Sequence, residues 1–491
     1  MFYYKNILKI AGLAIGLAGF VSCQKDFLEV VPKGAAIATK TSDYERLLND
    51  PSLGFLIRAS QVVMSDELAG YQPLYSTGGT GIALLVDQKA FEYQGDIYLP
   101  SENESELTIL ERHLYTYNKV INEVMASTEG SDSQKRVLRA EALAGRAWVH
   151  FMLVNYYGKP YNVATAALDP GVPLVTVADV TQTTFTRASV QAAYDLIIAD
   201  LNEAIPSLSG RIISRSRMSQ SAGEAILGKV YMNMQQFDKA LPLFASAISK
   251  LPNADIPVRL YDFNTVFNSG GAFFPVNPFT GPNRLNLNID EEVLYLKQYN
   301  NIYSYLLSGF PISPQTAALF NPVDLRLNFF TKSPFPPTGA TYPLDMMRCY
   351  GRYNNMGVNV PDIILLKAEC ESRIGQLGNA VNDLVAFRKK RMKNTVAGAA
   401  DIPANVAGDK VALTKYILEE RIREYATSGE RWWDMRRLSV DETYKSTVSM
   451  VHNVYDAQGK IVQSFPLKPE RLTFRYPQYI MNANSNFQQN P

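Results

Sequence analysis

One stretch of 34 residues constrains the fold of this chain more than any other. Between 221 and 254, Leu227-Gly228, Tyr231, Ala240, Phe244, Ala247 and Pro252 fall at the offsets L-G-x-x-Y…A-x-x-x-F…P. Those offsets specify two antiparallel helices. Gly228 and Ala240 are small where the helices cross closely, while Tyr231 and Phe244 fill the space beside the crossing. Glu224 stands where a tryptophan is usual. A single hairpin of this kind leaves one face uncovered, so it requires neighbours stacked against it.

The spacing is that of a tetratricopeptide unit, and candidate neighbours are present. A second pair is expected over about 361–392, with Ala368 and Ala380 at the small positions and Gly375–Gly378 as the turn. A third is split: Val137 to Tyr157 forms one helix and Val190 to Ile205 the other, capped by Ser189. Between them lies a Pro/Gly/Thr-rich excursion, Gly158 to Ala188. Earlier helices are expected over about 104–126 and from Thr41 to Asn49. The expected class is mainly α, with tetratricopeptide-like hairpins. Three stretches do not fit such a stack: 66–101, 261–313 and 328–360, rich in Gly, Pro, Asn and aromatics. Irregular segments this long are functional or disordered, and runs such as Tyr71-Gln72-Pro73-Leu74-Tyr75 are too aromatic for disorder.

The N-terminus carries an address. Lys5 and Lys9 precede an apolar run, Ile10 to Phe20, which ends in Val21-Ser22-Cys23. The run is far short of the roughly 20 apolar residues needed to cross a bilayer, and it has the form of a secretory signal. A cysteine at the cut site suggests a bacterial lipoprotein signal over 1–22, with the Cys23 thiol acylated and multiple acyl chains as the anchor. Phe20 departs from the commoner leucine three places earlier, and an ordinary signal with an incidental cysteine is the alternative. A tether over 23–40 and one domain over 41–491 would follow, its N-terminal part about 41–210 and its C-terminal part about 220–491.

Composition removes several function classes. The chain is 46% hydrophobic with a formal charge of +1, and it has no basic tract suited to nucleic acid. Beyond the anchor only Cys349 and Cys370 remain, so no disulfide framework is expected, although the two could pair. His113, His150 and His452 form no H-E-x-x-H arrangement, and His150 between Trp148 and Phe151 reads as a packed helix residue. No G-x-S-x-G elbow, phosphate loop or dinucleotide fingerprint occurs. A carboxylate-pair glycosidase stays open, but 47 acidic residues single out no pair. The chain reads as a binding protein without catalytic residues, metal or cofactor. Its 28 Tyr and 23 Phe, against three Trp, suit stacking on the C–H faces of sugars.

Near the C-terminus, Glu419-Glu420-Arg421-Ile422-Arg423-Glu424-Tyr425 runs into Gly429-Glu430-Arg431-Trp432-Trp433-Asp434-Met435-Arg436-Arg437. This resembles the E-R-x-x-E…G-x-R-W-W-D-L-R-R signature of the SusD/RagB family of outer-membrane nutrient-binding lipoproteins. The opening Cys23-Gln24-Lys25-Asp26-Phe27-Leu28 with Pro32, the segment Ala368-Glu369 with Gly378, Ala380 and Asn382, and the ending Gln489-Asn490-Pro491 are similar to the family as well. Ser428 departs from it, since glutamate commonly precedes the glycine. The resemblance implies a SusD-like fold and a surface lipoprotein that lids a TonB-dependent, SusC-like outer-membrane barrel. Such a protein captures oligosaccharides, or in some members peptides, without breaking bonds, on irregular loops opposite the tetratricopeptide side. A lipid-anchored hydrolase and a protein-binding tetratricopeptide scaffold are the competing classes.

Physically the Arg-Trp-Trp-Asp block reads as architecture. Arg431, Asp434 and Arg436 are expected to form charge-assisted pairs around Trp432 and Trp433, and Trp148 lies inside a helix. With the tryptophans committed to packing, the ligand site is expected on the loops. The candidates are Asp66, Tyr71 and Tyr75 in the first, Phe274, Phe279, Tyr299 and Tyr303 in the second, and Arg348 or Arg352 nearby.

Overall fold

The computed structural model describes residues 38–75, 82–100, 105–283, 286–301, 308–335, 340–350, 352–484 and 487–491. The expected leader, Cys23 and the tether as far as 37 lie outside these residues. The principal helices are α1 (Thr41–Leu48), α2 (Ile82–Phe91), α3 (Glu106–Glu123), α4 (Asp132–Tyr157), α5 (Val190–Ala204), α6 (Gln220–Asn233) and α7 (Phe237–Ser249). After the irregular middle come α8 (Val360–Arg373), α9 (Leu377–Lys389), α10 (Lys410–Tyr425) and α11 (Glu430–Ser439).

The helices stack as the spacing demands. Helix α3 packs on α4, α4 on α5, α5 on α6, α6 on α7, and α8 on α9. Helix α7 packs directly on α8, although two irregular stretches separate them in sequence. The close crossing within α6–α7 is real: a Cβ added at Gly228 would lie 2.7 Å from the Phe244 ring. Starts are capped by side chains whose oxygens take up orphan N–H groups. Ser189 Oγ accepts from Ala192 N at 3.1 Å and Ser219 Oγ from Ala222 N at 3.2 Å. One helix was not legible in the sequence, since α2 sits inside the stretch 66–101 read as irregular. It buries Val86, Ala90 and Phe91, but its start adjoins the Gly78-Gly79-Thr80-Gly81 run.

The irregular stretches satisfy their backbones by pairing in short ladders. In chain order the strands are β1 (Gly70–Tyr71), β2 (Val276–Asn277), β3 (Gly281–Pro282), β4 (Val293–Tyr295), β5 (Gln298–Asn301), β6 (Phe330–Thr331), β7 (Arg348–Cys349), β8 (Arg352–Asn355), β9 (Val358–Asn359), β10 (Val451–Tyr455) and β11 (Ile461–Pro466). Strand β1 runs parallel to β10, which pairs antiparallel with β11. The second and third stretches are joined by antiparallel β4–β9 and β5–β8, while β2–β3 and β6–β7 close each on itself.

Buried ion pairs then fix these stretches to α10 and α11. Arg431 donates to both Asp66 oxygens, at 2.7 and 2.8 Å, across 365 residues of sequence. Arg391, 0% exposed, holds Glu292 at 2.8 Å and Glu424 at 2.9 Å. Asp434 receives Arg421 and Arg437 at 2.8 and 2.9 Å. The pairing expected of Arg436 does not occur. Its Nη2 donates to the Gly158 carbonyl at 2.7 Å, at the C-terminal end of α4, where the helix dipole favours a cation. Burial without a carboxylate partner lowers its pKa to about 10.

Trp148 and Trp432 are buried, and Trp433 is half-buried. No disulfide joins Cys349 and Cys370. Cys349 lies in β7, and Cys370 on α8 has its Sγ 3.1 Å from Met232 Sδ.

Candidate functional site

The ladder β2–β3 is a small hairpin that carries its rings away from the core. The Asn277 side chain accepts from the N–H groups of Phe279 and Thr280, at 2.8 and 3.2 Å, and so shapes the turn. Gly281 is in the left-handed region at φ +78°, and a Cβ there would lie 2.4 Å from the Tyr350 ring. Tyr350 donates its hydroxyl to the Pro278 carbonyl at 2.8 Å, which pins the turn against the third irregular stretch. Beneath the hairpin, Phe273 meets Phe329 edge-on at 5.2 Å and Phe263 at 5.9 Å. The platform is therefore packed at its base, while Phe274 and Phe279 remain 45% and 69% exposed at its surface.

A cavity of about 80 Å³ opens at the base of this hairpin. Phe263, Phe273, Phe329, Tyr350 and Tyr425 supply its rings, and Asn283, Asn354, Asn355 and Asn359 supply carboxamides. Asp290, Glu292 and Glu424 add carboxylates. Burial pushes the Glu292 carboxyl up to about 7, with the Arg391 guanidinium opposing the shift. A broader groove of about 910 Å³, between the 159–170 segment and the C-terminus, has no aromatic among the described residues of its lining. Those residues offer nothing on which a sugar ring could stack.

Of the residues expected from the sequence, Phe274 and Phe279 stand exposed on the hairpin, and the others are placed differently. Tyr71 is buried edge-on against Tyr342 at 5.0 Å. Tyr75 is buried between Phe91 and Phe310, and donates to Glu92 Oε1 at 2.6 Å. Tyr299 is buried and donates to the Ser428 carbonyl. Arg348 is buried with its guanidinium 5.7 Å from the Phe335 ring centre and 5.5 Å from that of Tyr350, and its Nε donates to the Ser333 carbonyl. Asp66 is engaged by Arg431. These five side chains are engaged within the protein, and Asp66 with Arg431 also lines a groove of about 490 Å³. Arg352 pairs through its backbone with Asn301 in the β5–β8 ladder, but its side chain lies outside the described residues, as does Tyr303. Asn354, Asn359, Tyr350 and Tyr425, which line the cavity, were not singled out from the sequence. The Asn354-Asn355 pair inside an aromatic stretch was the available signal.

The histidines pack. His452 stacks between Phe91 and Tyr93 at 4.3 and 4.4 Å, and burial lowers the pKa of both His113 and His150 to about 3. Among the described residues, no group of three or more His, Cys, Asp or Glu is placed to hold a metal ion. No helix among them is long and apolar enough to cross a membrane.

Comparison with known proteins places this geometry. Residues 86–232 match a SusD-like family described as starch-binding and associating with the outer membrane. Residues 360–491 match the SusD family. SusD-like protein P38 of Formosa agariphila is 23% identical over 354 residues, covering 60% of this chain. The chain spans just under two thirds, 65%, of that relative's length. A SusD superfamily protein of Bacteroides vulgatus has the same fold at a TM-score of 0.63 and 17% identity, with 92% of this chain and 99% of that one covered. A SusD superfamily protein of Bacteroides thetaiotaomicron superposes with a TM-score of 0.66 at 18% identity, covering 92% and 100%. A laminarin-binding SusD-like protein superposes at 0.55 and 17% identity, covering 92% and 99%. The two family matches take in more than half of the sequence, and the chain belongs to the SusD/RagB family.

Proposed function

We propose that this protein is a non-catalytic surface lipoprotein that captures oligosaccharide and hands it to a TonB-dependent, SusC-like outer-membrane barrel. The observation that carries the reading is the hairpin segment with two exposed phenyl rings, Phe274 and Phe279, whose base residues Phe273, Pro282 and Asn283 line a carboxamide-bearing cavity. Exposed rings on a fixed base suit the C–H faces of sugars, and the neighbouring amides suit their hydroxyls. The family description and the laminarin-binding relative support a glycan over other ligands. Tyr71, Tyr75, Tyr299, Arg348 and Asp66 are left out of the proposed contacts because they are already engaged.

Phe279→Ala and Phe274→Ala are each expected to weaken binding of the cognate oligosaccharide about tenfold, with melting temperature unchanged. Calorimetry against a panel of neutral and charged glycans and of peptides checks this. Peptide binding with no glycan binding would replace the substrate class, and cleavage products would replace a binder with a hydrolase.

The anchor is a separate part of the proposal. Cys23, acylated after removal of residues 1–22, would be the membrane attachment. Cys23→Ser should move the protein from the membrane fraction to the soluble one. Unchanged fractionation of that variant would defeat the anchor and leave the binding reading untouched.

A further inference from the structure

The cavity under the hairpin carries a second reading, which rests on glycan capture and narrows it. Two buried polar atoms on its wall have no hydrogen-bonding partner, the amide Nδ2 of Asn354 and the hydroxyl of Tyr425. Both side chains are only 5% exposed. Buried polar groups are normally satisfied, and leaving one unmade is costly. Two in one small polar cavity mark a place where something is meant to bond. A volume of about 80 Å³ accommodates several waters or one short polar arm of a ligand.

The charge around the cavity decides what that arm can be. Asp290, Glu292 and Glu424 are on its wall, and among the described residues no lysine or arginine lines it. The guanidinium behind the wall, Arg391, already holds Glu292 and Glu424. A carboxylate or sulfate entering here would meet three carboxylates, two of them already taking up Arg391, and would lose its own hydration without gaining a free cation among the described side chains. We infer that the cavity is a specificity subsite, taking an uncharged hydroxymethyl or acetamido arm of a sugar stacked on Phe274 and Phe279 and excluding uronate and sulfated sugars. Asn354 would donate to the oxygen of that arm, and Tyr425 would donate to or accept from it. The aromatic hairpin would provide affinity, and the cavity would choose among ligands.

The test is calorimetry on the full mature chain. The probes are neutral laminari-, cello-, malto- and chito-oligosaccharides, with alginate and sulfated carrageenan oligosaccharides of matched length. The wild type should bind at least one neutral series about tenfold or more tightly than either anionic one. Tyr425→Phe and Asn354→Leu remove the two unpartnered groups with little change of shape. Each should weaken the preferred neutral probe about three- to tenfold, as loss of one hydrogen bond does, with melting temperature unchanged. If both variants bind it with wild-type affinity while Phe279→Ala does not, the cavity holds only water, and the subsite is overturned with the capture reading intact. Preference for an anionic probe overturns the exclusion. Absence of binding to every glycan in the panel overturns the capture reading, and the subsite with it.

Discussion

Glu420→Gln should destabilise the protein by about 3–5 kcal/mol, the usual loss when one member of a buried ion cluster is removed. Glu420 on α10 is 0% exposed and accepts from three guanidiniums: Arg326 and Arg423 at 2.7 Å, and Arg388 at 2.6 Å. With Arg391, four guanidiniums face four carboxylates in this cluster: Asp324, Glu292, Glu420 and Glu424. A glutamine would leave four cations on three anions and turn an amide donor towards donors. Burial pushes the Glu420 carboxyl up, but Arg326, Arg423 and Arg388 outweigh it and hold it well below the usual range.

The sign of the pH dependence follows from that depression. The stability Glu420 contributes is present above the ordinary glutamate pKa and is lost as pH falls through its depressed value. Denaturant unfolding should therefore show the largest gap between wild type and variant at pH 6–7 on this account, narrowing steadily below about pH 4. Glu67 acts with the opposite sign. Burial raises its carboxyl to about 8, so its contribution is full in acid and lost as pH rises through that value. Equal stability of wild type and variant at pH 7 would mean that the cluster does not hold the fold.

The helical stack was legible because its rules are local. Gly228, Ala240 and Phe244 lie within one hairpin, and their sizes are dictated by a crossing that any such hairpin must make. The ends were legible for the same reason, as Ser189 caps the helix it precedes. The loops obey long-range rules. Tyr75, Tyr299 and Asp66 looked like ligand residues because they sit among Gly, Pro and Asn. Their partners are Phe310, the Ser428 carbonyl and Arg431, which only the folded chain brings near. A long ordered loop must bury some of its own aromatics to stay ordered. Counting rings in loops therefore overestimates those available to a ligand. Phe279 escapes because Asn277 makes a turn that needs no core contact from it, and Phe274 stays exposed just before that hairpin. The cavity beneath was invisible in sequence, since Asn354 and Tyr425 belong to different stretches that only the folded chain brings together.

The Arg-Trp-Trp-Asp block is best understood as the clasp between these two regimes, and Trp432→Ala measures it. Trp432 is 0% exposed, and its indole meets Phe474 edge-on at 6.0 Å. Beside it on α11, Arg431 holds Asp66 of the first irregular stretch, and Asp434 receives Arg421 and Arg437. Truncating so large a buried ring should cost about 3–5 kcal/mol, through lost burial and the cavity left behind. Trp433→Ala should cost less, because that ring is half-buried and its edge-on contact with Tyr156 at 5.0 Å is a smaller part of the core. Glycan affinity per folded molecule should survive both changes, since the hairpin is pinned by Tyr350 and Phe273 rather than by α11. Denaturant unfolding and calorimetry on the same preparations separate the two quantities. Wild-type stability with lost affinity in Trp432→Ala would make the indole a ligand contact and would move the site from the hairpin to the C-terminal block.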